Sequence, residues 1–251
     1  MIEAFFFGAG SAQRFATYHP PAAGSGRLLT IICPPLCSEY MRTHLVLREL
    51  AIVLSGKGQH VLRFDYRGTG DSFGELAEVG ISDWLEDIAL AVQEGRELSG
   101  CTSVQLLGVR AGALLVCKYA GARDDVQRLV LWDPVPDGAE YLRVLKRVQA
   151  SIFERNRYLS HRERREAMHE YGGYWLSASM VEGFRSLDAS TYSSVPKHKL
   201  HVVSTSPAAD LPAPGVFQGV AGVAYGWETD LEGPILPQPL LERLTACLTL
   251  S

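Results

Sequence analysis

Short apolar runs alternate along this chain with longer stretches in which apolar residues fall three or four positions apart. "IEAFFFG", "QRFATYH" and "RLLTIICPP" read as strands, the first two forming a hairpin through Gly8, Gly10 and Ser11. "THLVLRELAIVLSGKG" places Val46, Leu50, Val53 and Leu54 at helical spacing and closes on Gly56 and Gly58. "HVLRFDYRG" is the next strand. "SDWLEDIALAVQEGRELSG" is a helix with Ser82 as its expected N-cap, and its acidic first turn (Asp83, Glu86, Asp87) suits the positive end of the helix dipole. "SVQLLGVR" and "AGALLVCKYAGA" make a further strand and helix. "QRLVLWDPV" and "KLHVVSTS" are strands, and "PLLERLTACL" is a closing amphipathic helix.

Repeated strand–helix units predict an α/β fold, a mostly parallel central sheet with helices on both faces and ligand sites at the carboxyl ends of the strands. Residues 138–191 break the alternation. They are helical in pattern and predict an inserted helical cap, leaving 1–137 and 192–251 as the core of a single structural domain. The insert is basic, with Arg143, Lys146, Arg147, Arg155, Arg157, Arg162, Arg164 and Arg165 interleaved with Glu154, Glu163 and Glu166. Such a run reads as a solvated helix face; an arginine turned inward would attract an anion.

Composition narrows the function classes. The chain has 251 residues, 47% of them hydrophobic, and a net charge of −4, enough for one large core and without the basic footprint of a nucleic-acid binder. No apolar run approaches the ~20 residues of a membrane span, and "MIEAFFFGAG" lacks the basic flank of a signal peptide, so a cytoplasmic location is expected. The five cysteines are scattered without C-x-x-C spacing, so neither a metal site nor a disulfide framework is expected, and no cofactor. A homodimer is compatible with this composition.

The chemistry concentrates around "GVRAGA". A strand, a glycine-framed turn and a small-residue helix are the setting of the G-x-S-x-G nucleophile elbow, with Gly108 and Gly112 in the glycine positions and Arg110 in the middle. A guanidinium stays protonated at neutral pH and is no nucleophile. Beside a helix N-terminus it would instead favour a carboxylate, a phosphate or a developing oxyanion. A buried arginine requires a counter-charge. Asp133, in "WDP" at the end of the following strand, is the first candidate and Glu39 the second. An unpaired Asp133 would be a candidate general base. Asp71 and Ser72 in "DYRGTGDS" read as turn formers on the rim of the pocket.

Together, "CPPLCSEY", "FDYRGTGDS", "GVRAG" and "LVLWDPV" resemble, in order, the oxyanion loop, a following turn, the elbow and the next strand of the α/β-hydrolase fold. "FDYRGTGDSFGE", "SDWLEDI", "LLGVRAGALL", "LWDPVPDG" and "YGGYWLSASMVEGFRSLD" resemble more narrowly the exosortase A system-associated hydrolase type 2 proteins, a serine aminopeptidase-like group found beside bacterial exopolysaccharide and protein-sorting loci. In that group an arginine at the elbow is common. The resemblance implies oxyanion-hole amides at Leu36 and Ala111, and a cap-closing segment around Tyr174 and Trp175. It also orders the triad as nucleophile, acid, histidine. Asp210 is the only carboxylate near the acid position, and "GVAYGWETDLEGPILPQP", just before the last helix, contains no histidine: the last in the chain is His201, expected inside a strand. Trp227 stands where that histidine is missing and is expected to fill its space. Cys37, in the oxyanion loop, is a second nucleophile candidate with His44 as the nearest base.

Three functions follow from these residues. The first is binding of a small anionic or acyl-bearing ligand at the Arg110 elbow, without serine chemistry, in a bacterial biosynthetic or envelope pathway. The second is an unconventional hydrolase, transferase or lyase that uses Arg110 for electrostatic stabilisation and Asp133 as base. The third is a protein-interaction scaffold with a vestigial pocket.

Overall fold

A computed structural model describes residues 2–10, 13–22, 26–121, 123–155, 169–205, 214–220, 226–228 and 235–250. Strands β1 (Glu3–Phe7) and β2 (Arg14–His19) form the expected hairpin, with Gly8 and Gly10 at φ +85° and +61° in its turn. Then come β3 (Leu28–Cys33), α1 (Cys37–Gly56), β4 (His60–Phe64), α2 (Ile81–Ser99), β5 (Ser103–Val109), α3 (Ala111–Ala120) and β6 (Val126–Trp132). Helices α4 (Gly138–Arg155), α5 (Ala178–Arg185) and α6 (Ser190–Ser193) lie between β6 and β7 (Leu200–Ser204), and β8 (Val216–Gly219) and α7 (Gln238–Leu248) close the chain. The sheet runs β1-β2-β4-β3-β5-β6-β7-β8. The β1–β2 and β2–β4 pairs are antiparallel and the rest parallel.

The period of two along a strand divides the core. Ile31 and Leu106 face one side of the sheet, where they meet Trp84 and Ile88 of α2 and Leu114 of α3. Their neighbours Ile32 and Leu107 face the other, against Val46 and Leu50 of α1 and Leu240 and Leu244 of α7.

Three local expectations change. Helix α1 begins six residues earlier than its apolar spacing shows, because Cys37 to Arg42 present a mixed face that only the neighbouring strands make legible. Helix α2 is capped by Gly80 and not by Ser82: the Asp83 carboxylate accepts the Gly80 amide at 2.7 Å. A Cβ at Gly80 would come 2.7 Å from the Ser179 hydroxyl, which would have to turn aside to admit it. The acidic first turn also clasps two arginines. Asp87, fully buried, accepts Arg14 Nε at 2.7 Å and Arg67 Nε at 2.9 Å. The edge strand β8, short and exposed, carries no alternation to announce it.

His19, at the end of β2, is buried, and its Nε2 has no partner among the described residues. Burial, with Arg63 and Arg48 adding to it, lowers its pKa from 6.5 to about 4. Between those two values the unfolded chain takes up a proton that the native chain refuses, so stability falls as pH drops through that window. The melting temperature is expected to decline from pH 6.5 towards 4, and less steeply in His19→Phe. Parallel declines in the two proteins would show that His19 plays no part.

Candidate functional site

Among the described residues, three that are not glycine have a left-handed φ: Cys37 (+54°), Arg110 (+54°) and Asp133 (+43°). They follow the carboxyl ends of β3, β5 and β6, which are adjacent in the sheet. Strained backbone of this kind costs of order 1–3 kcal/mol per residue and gathers where geometry serves a site. At the β5–α3 turn the glycines are dictated by space. A Cβ on Gly108 would lie 2.7 Å from the Ala113 Cα, and one on Gly112 2.8 Å from the Cys33 carbonyl oxygen. The turn is locked by the Arg110 amide donating to the Trp132 carbonyl at 2.9 Å.

The Arg110 guanidinium is turned into the fold and 11% exposed. Its Nε donates to Glu39 Oε1 at 3.0 Å and its Nη1 to the backbone carbonyl of Asp133 at 3.1 Å, while its Cζ lies 4.7 Å from the Trp227 ring centroid. Burial works against the charge, but Glu39 beside it outweighs that and raises the Arg110 pKa above its ordinary value. Glu39, in the first turn of α1, also accepts the Tyr141 hydroxyl of α4 at 3.0 Å. The paired counter-charge is therefore Glu39; Asp133, the first expectation, gives Arg110 a main-chain hydrogen bond and a lesser, unpaired charge nearby.

The Asp133 carboxylate is occupied elsewhere. Oδ1 accepts Ser204 Oγ at 2.7 Å and the Thr205 amide at 2.9 Å, and Oδ2 accepts Thr205 Oγ1 at 3.2 Å and Trp227 Nε1 at 3.1 Å. Both oxygens are held by neighbouring donors, and Asp133 is not among the residues lining the adjacent cavity. Trp227 thus touches both: its N–H holds Asp133 and its face covers Arg110, with Trp132 edge-on at 5.8 Å and Arg42 5.6 Å from the ring. Asp210 lies outside the described residues.

Leu36, Cys37 and Tyr174 line a cavity of about 320 Å³ beside this cluster, together with Tyr40, Met41, Tyr66, Leu76 and Trp84 and the Gly68–Gly70 turn, with Glu75 completing it. The Leu36 and Ala111 amides have no acceptor among the described residues, as expected of a loop and a helix start. Asp71 and Ser72 are the turn formers expected of them, in the turn whose Gly68–Gly70 stretch rims the cavity. Ser72 donates to the Asp65 carbonyl at 2.6 Å and accepts the Phe15 amide at 2.8 Å, and the Asp71 amide donates to the Asp65 carboxylate at 3.0 Å. Both shape the turn and neither lines the cavity. Trp175 is exposed, near His169. Burial, with Glu39 adding, pushes the Cys37 thiol well above its usual range, away from the thiolate that nucleophilic attack needs. His44 is spent on the Met41 carbonyl at 2.7 Å. Arg143, Lys146 and Arg147 line a separate surface groove with Arg185. Arg157, Arg162, Arg164 and Arg165 lie outside the described residues.

The sequence reading missed Tyr40, Met41, Tyr66, Leu76, Trp84, Tyr141 and Ser204. Only Tyr40 had a signal available: it falls one turn behind Leu36 once α1 is extended back to Cys37.

The topology, the tight β5–α3 turn and the site above the strand ends are joined by a family match: the model of the serine aminopeptidase S33 family matches residues 35–171, more than half of the chain. The chain belongs to that family. Solved structures agree on the α/β-hydrolase fold of this serine aminopeptidase S33 member. A putative hydrolase from Agrobacterium vitis S4 is 19% identical over 99% of this chain and 98% of its own, with a TM-score of 0.57. Est1E from Butyrivibrio proteoclasticus is 16% identical over 98% and 95%, with a TM-score of 0.63. A hypothetical protein from Pseudomonas aeruginosa is 13% identical over 99% and 92%, with a TM-score of 0.66. No curated protein matches the sequence. No helix among the described residues is long and apolar enough to cross a membrane.

Proposed function

We propose that this family member has left serine chemistry and binds a small acyl-bearing ligand in the cavity beside Leu36 and Tyr174, under a helical cap formed by residues 138–191. The observation that carries this reading is the commitment of Arg110. The residue at the elbow is a cation paired with Glu39 and covered by Trp227, and next to it a cavity with mostly apolar and aromatic walls stays open. Because Glu39 already answers the guanidinium, an external anion would have to displace it, so the acyl-bearing ligand is favoured over the anionic one. An enzyme with Asp133 as base is disfavoured by the four donors on that carboxylate, and a scaffold by the open cavity. The resemblance to exosortase-associated proteins, in which an arginine at the elbow is common, supports a ligand from a bacterial envelope or biosynthetic pathway.

The test uses p-nitrophenyl butyrate as ligand and as reporter. It is expected to raise the melting temperature saturably without being hydrolysed, and a fluorophosphonate probe is expected to leave the protein unlabelled. Leu76→Trp, which fills the cavity, should abolish the stabilisation. Hydrolysis or labelling by the native chain would restore a nucleophile to the site and overturn the proposal. Absence of any stabilisation would overturn the binding.

A further inference from the structure

The cavity wall has an electrostatic character that the elbow does not share. Among the described residues, no lysine, arginine or histidine lines it, and the charged residue in its lining is Glu75, which is exposed. Four aromatic rings, Tyr40, Tyr66, Trp84 and Tyr174, contribute to the lining. Tyr66 and Trp84 stack at 4.8 Å with 27° between their planes, a fully buried pair. The Tyr40 hydroxyl donates to Asp65 Oδ1 at 2.5 Å, and a phenol bonded to a carboxylate has a more electron-rich ring. Two arginines stand near but outside the lining, Arg110 paired with Glu39 and Arg63 beside Tyr40 and Asp65. Glu39 and Asp65 also raise the pKa values of the Cys37 and Tyr40 groups on the wall, after burial itself, as negative neighbours do.

We infer that this cavity selects ligands whose polar end is positively charged, an amine or quaternary ammonium attached to an acyl or aryl body, over ligands ending in a carboxylate or phosphate. The inference rests on the binding reading above and deepens it. Aromatic faces attract a cation through their quadrupole, and Glu75 adds a negative charge to the lining. A carboxylate ligand would meet the like charge of Glu75 and no cation in the lining to offset the water it loses.

Three probes of equal chain length separate the possibilities by calorimetry: hexyltrimethylammonium, hexanol and hexanoate. The ammonium is expected to bind about fivefold tighter than the alcohol, a typical cation–π gain, and hexanoate weakest of all. Glu75→Gln, on an exposed side chain, should reduce the preference for the cation and make it less sensitive to salt. Tyr174→Leu should reduce it without that change in salt response. Equal binding of the three probes, or tightest binding of hexanoate, would overturn the charge selectivity while leaving the binding reading intact. If none of the three binds and p-nitrophenyl butyrate also fails to stabilise the protein, the binding reading falls with it.

Discussion

A chain carrying Arg110→Ser, Glu39→Gln and Trp227→His is expected to hydrolyse p-nitrophenyl acetate about 10²-fold faster than one carrying only the first two substitutions, the lower end of what a positioned general base contributes. Serine at position 110 would inherit the strained turn at φ +54°. Glu39→Gln removes the carboxylate that would otherwise be stranded without its cation. Trp227 now holds Asp133 Oδ2 at 3.1 Å with its N–H while its ring lies 4.7 Å from the Arg110 guanidinium carbon. An imidazole grown from that position would stand between an acid and residue 110, the order a serine hydrolase requires. Arg110→Ser alone should stay inactive for want of a base. Equal rates in the double and triple variants, both folded, would mean that residue 227 does not occupy the base position. Fast hydrolysis by Arg110→Ser alone would reveal a base elsewhere.

Arg110→Ala is expected to destabilise the native chain by roughly 3–5 kcal/mol, because it leaves Glu39 buried without its cation. At 2–4 °C per kcal/mol for a chain of this size, the melting temperature should fall by roughly 10 °C. The two side chains are 11% and 4% exposed, so water cannot take over the role of the missing partner. Adding Glu39→Ala should cost less than its own effect in the native background, since the second substitution removes the stranded charge. Glu140→Ala gives the contrast: its partners Arg143 and Arg147 are more than half exposed, and its loss should cost no more than about 1 kcal/mol. Urea unfolding of the four variants checks the ranking. An Arg110→Ala cost no larger than that of Glu140→Ala would show that the pair does not hold the elbow together.

The strand–helix alternation, the hairpin and the division of the core into two faces follow from sequence, because alternate strand residues must face opposite sides of the sheet and Ile31 and Ile32 can only divide between them. The elbow was legible for a similar reason. Gly108 and Gly112 mark a backbone approach too close for any Cβ, which is a local property. What surrounds Arg110 was not local. Glu39, Asp133 and Trp227 come from α1, the end of β6 and the segment before α7, and their pairing depends on which oxygen or ring each side chain reaches after packing. Sequence ranked Asp133 above Glu39 as the partner of Arg110 because Asp133 ends the strand that follows the elbow helix and should open toward the same cleft. Only the tertiary structure decided that Asp133 would spend its carboxylate on Ser204, Thr205 and Trp227, leaving Glu39 to neutralise the arginine. The aromatic cavity was likewise beyond reach, since Tyr40, Tyr66, Trp84 and Tyr174 are far apart in the chain and share a wall only because the sheet and its helices bring them together.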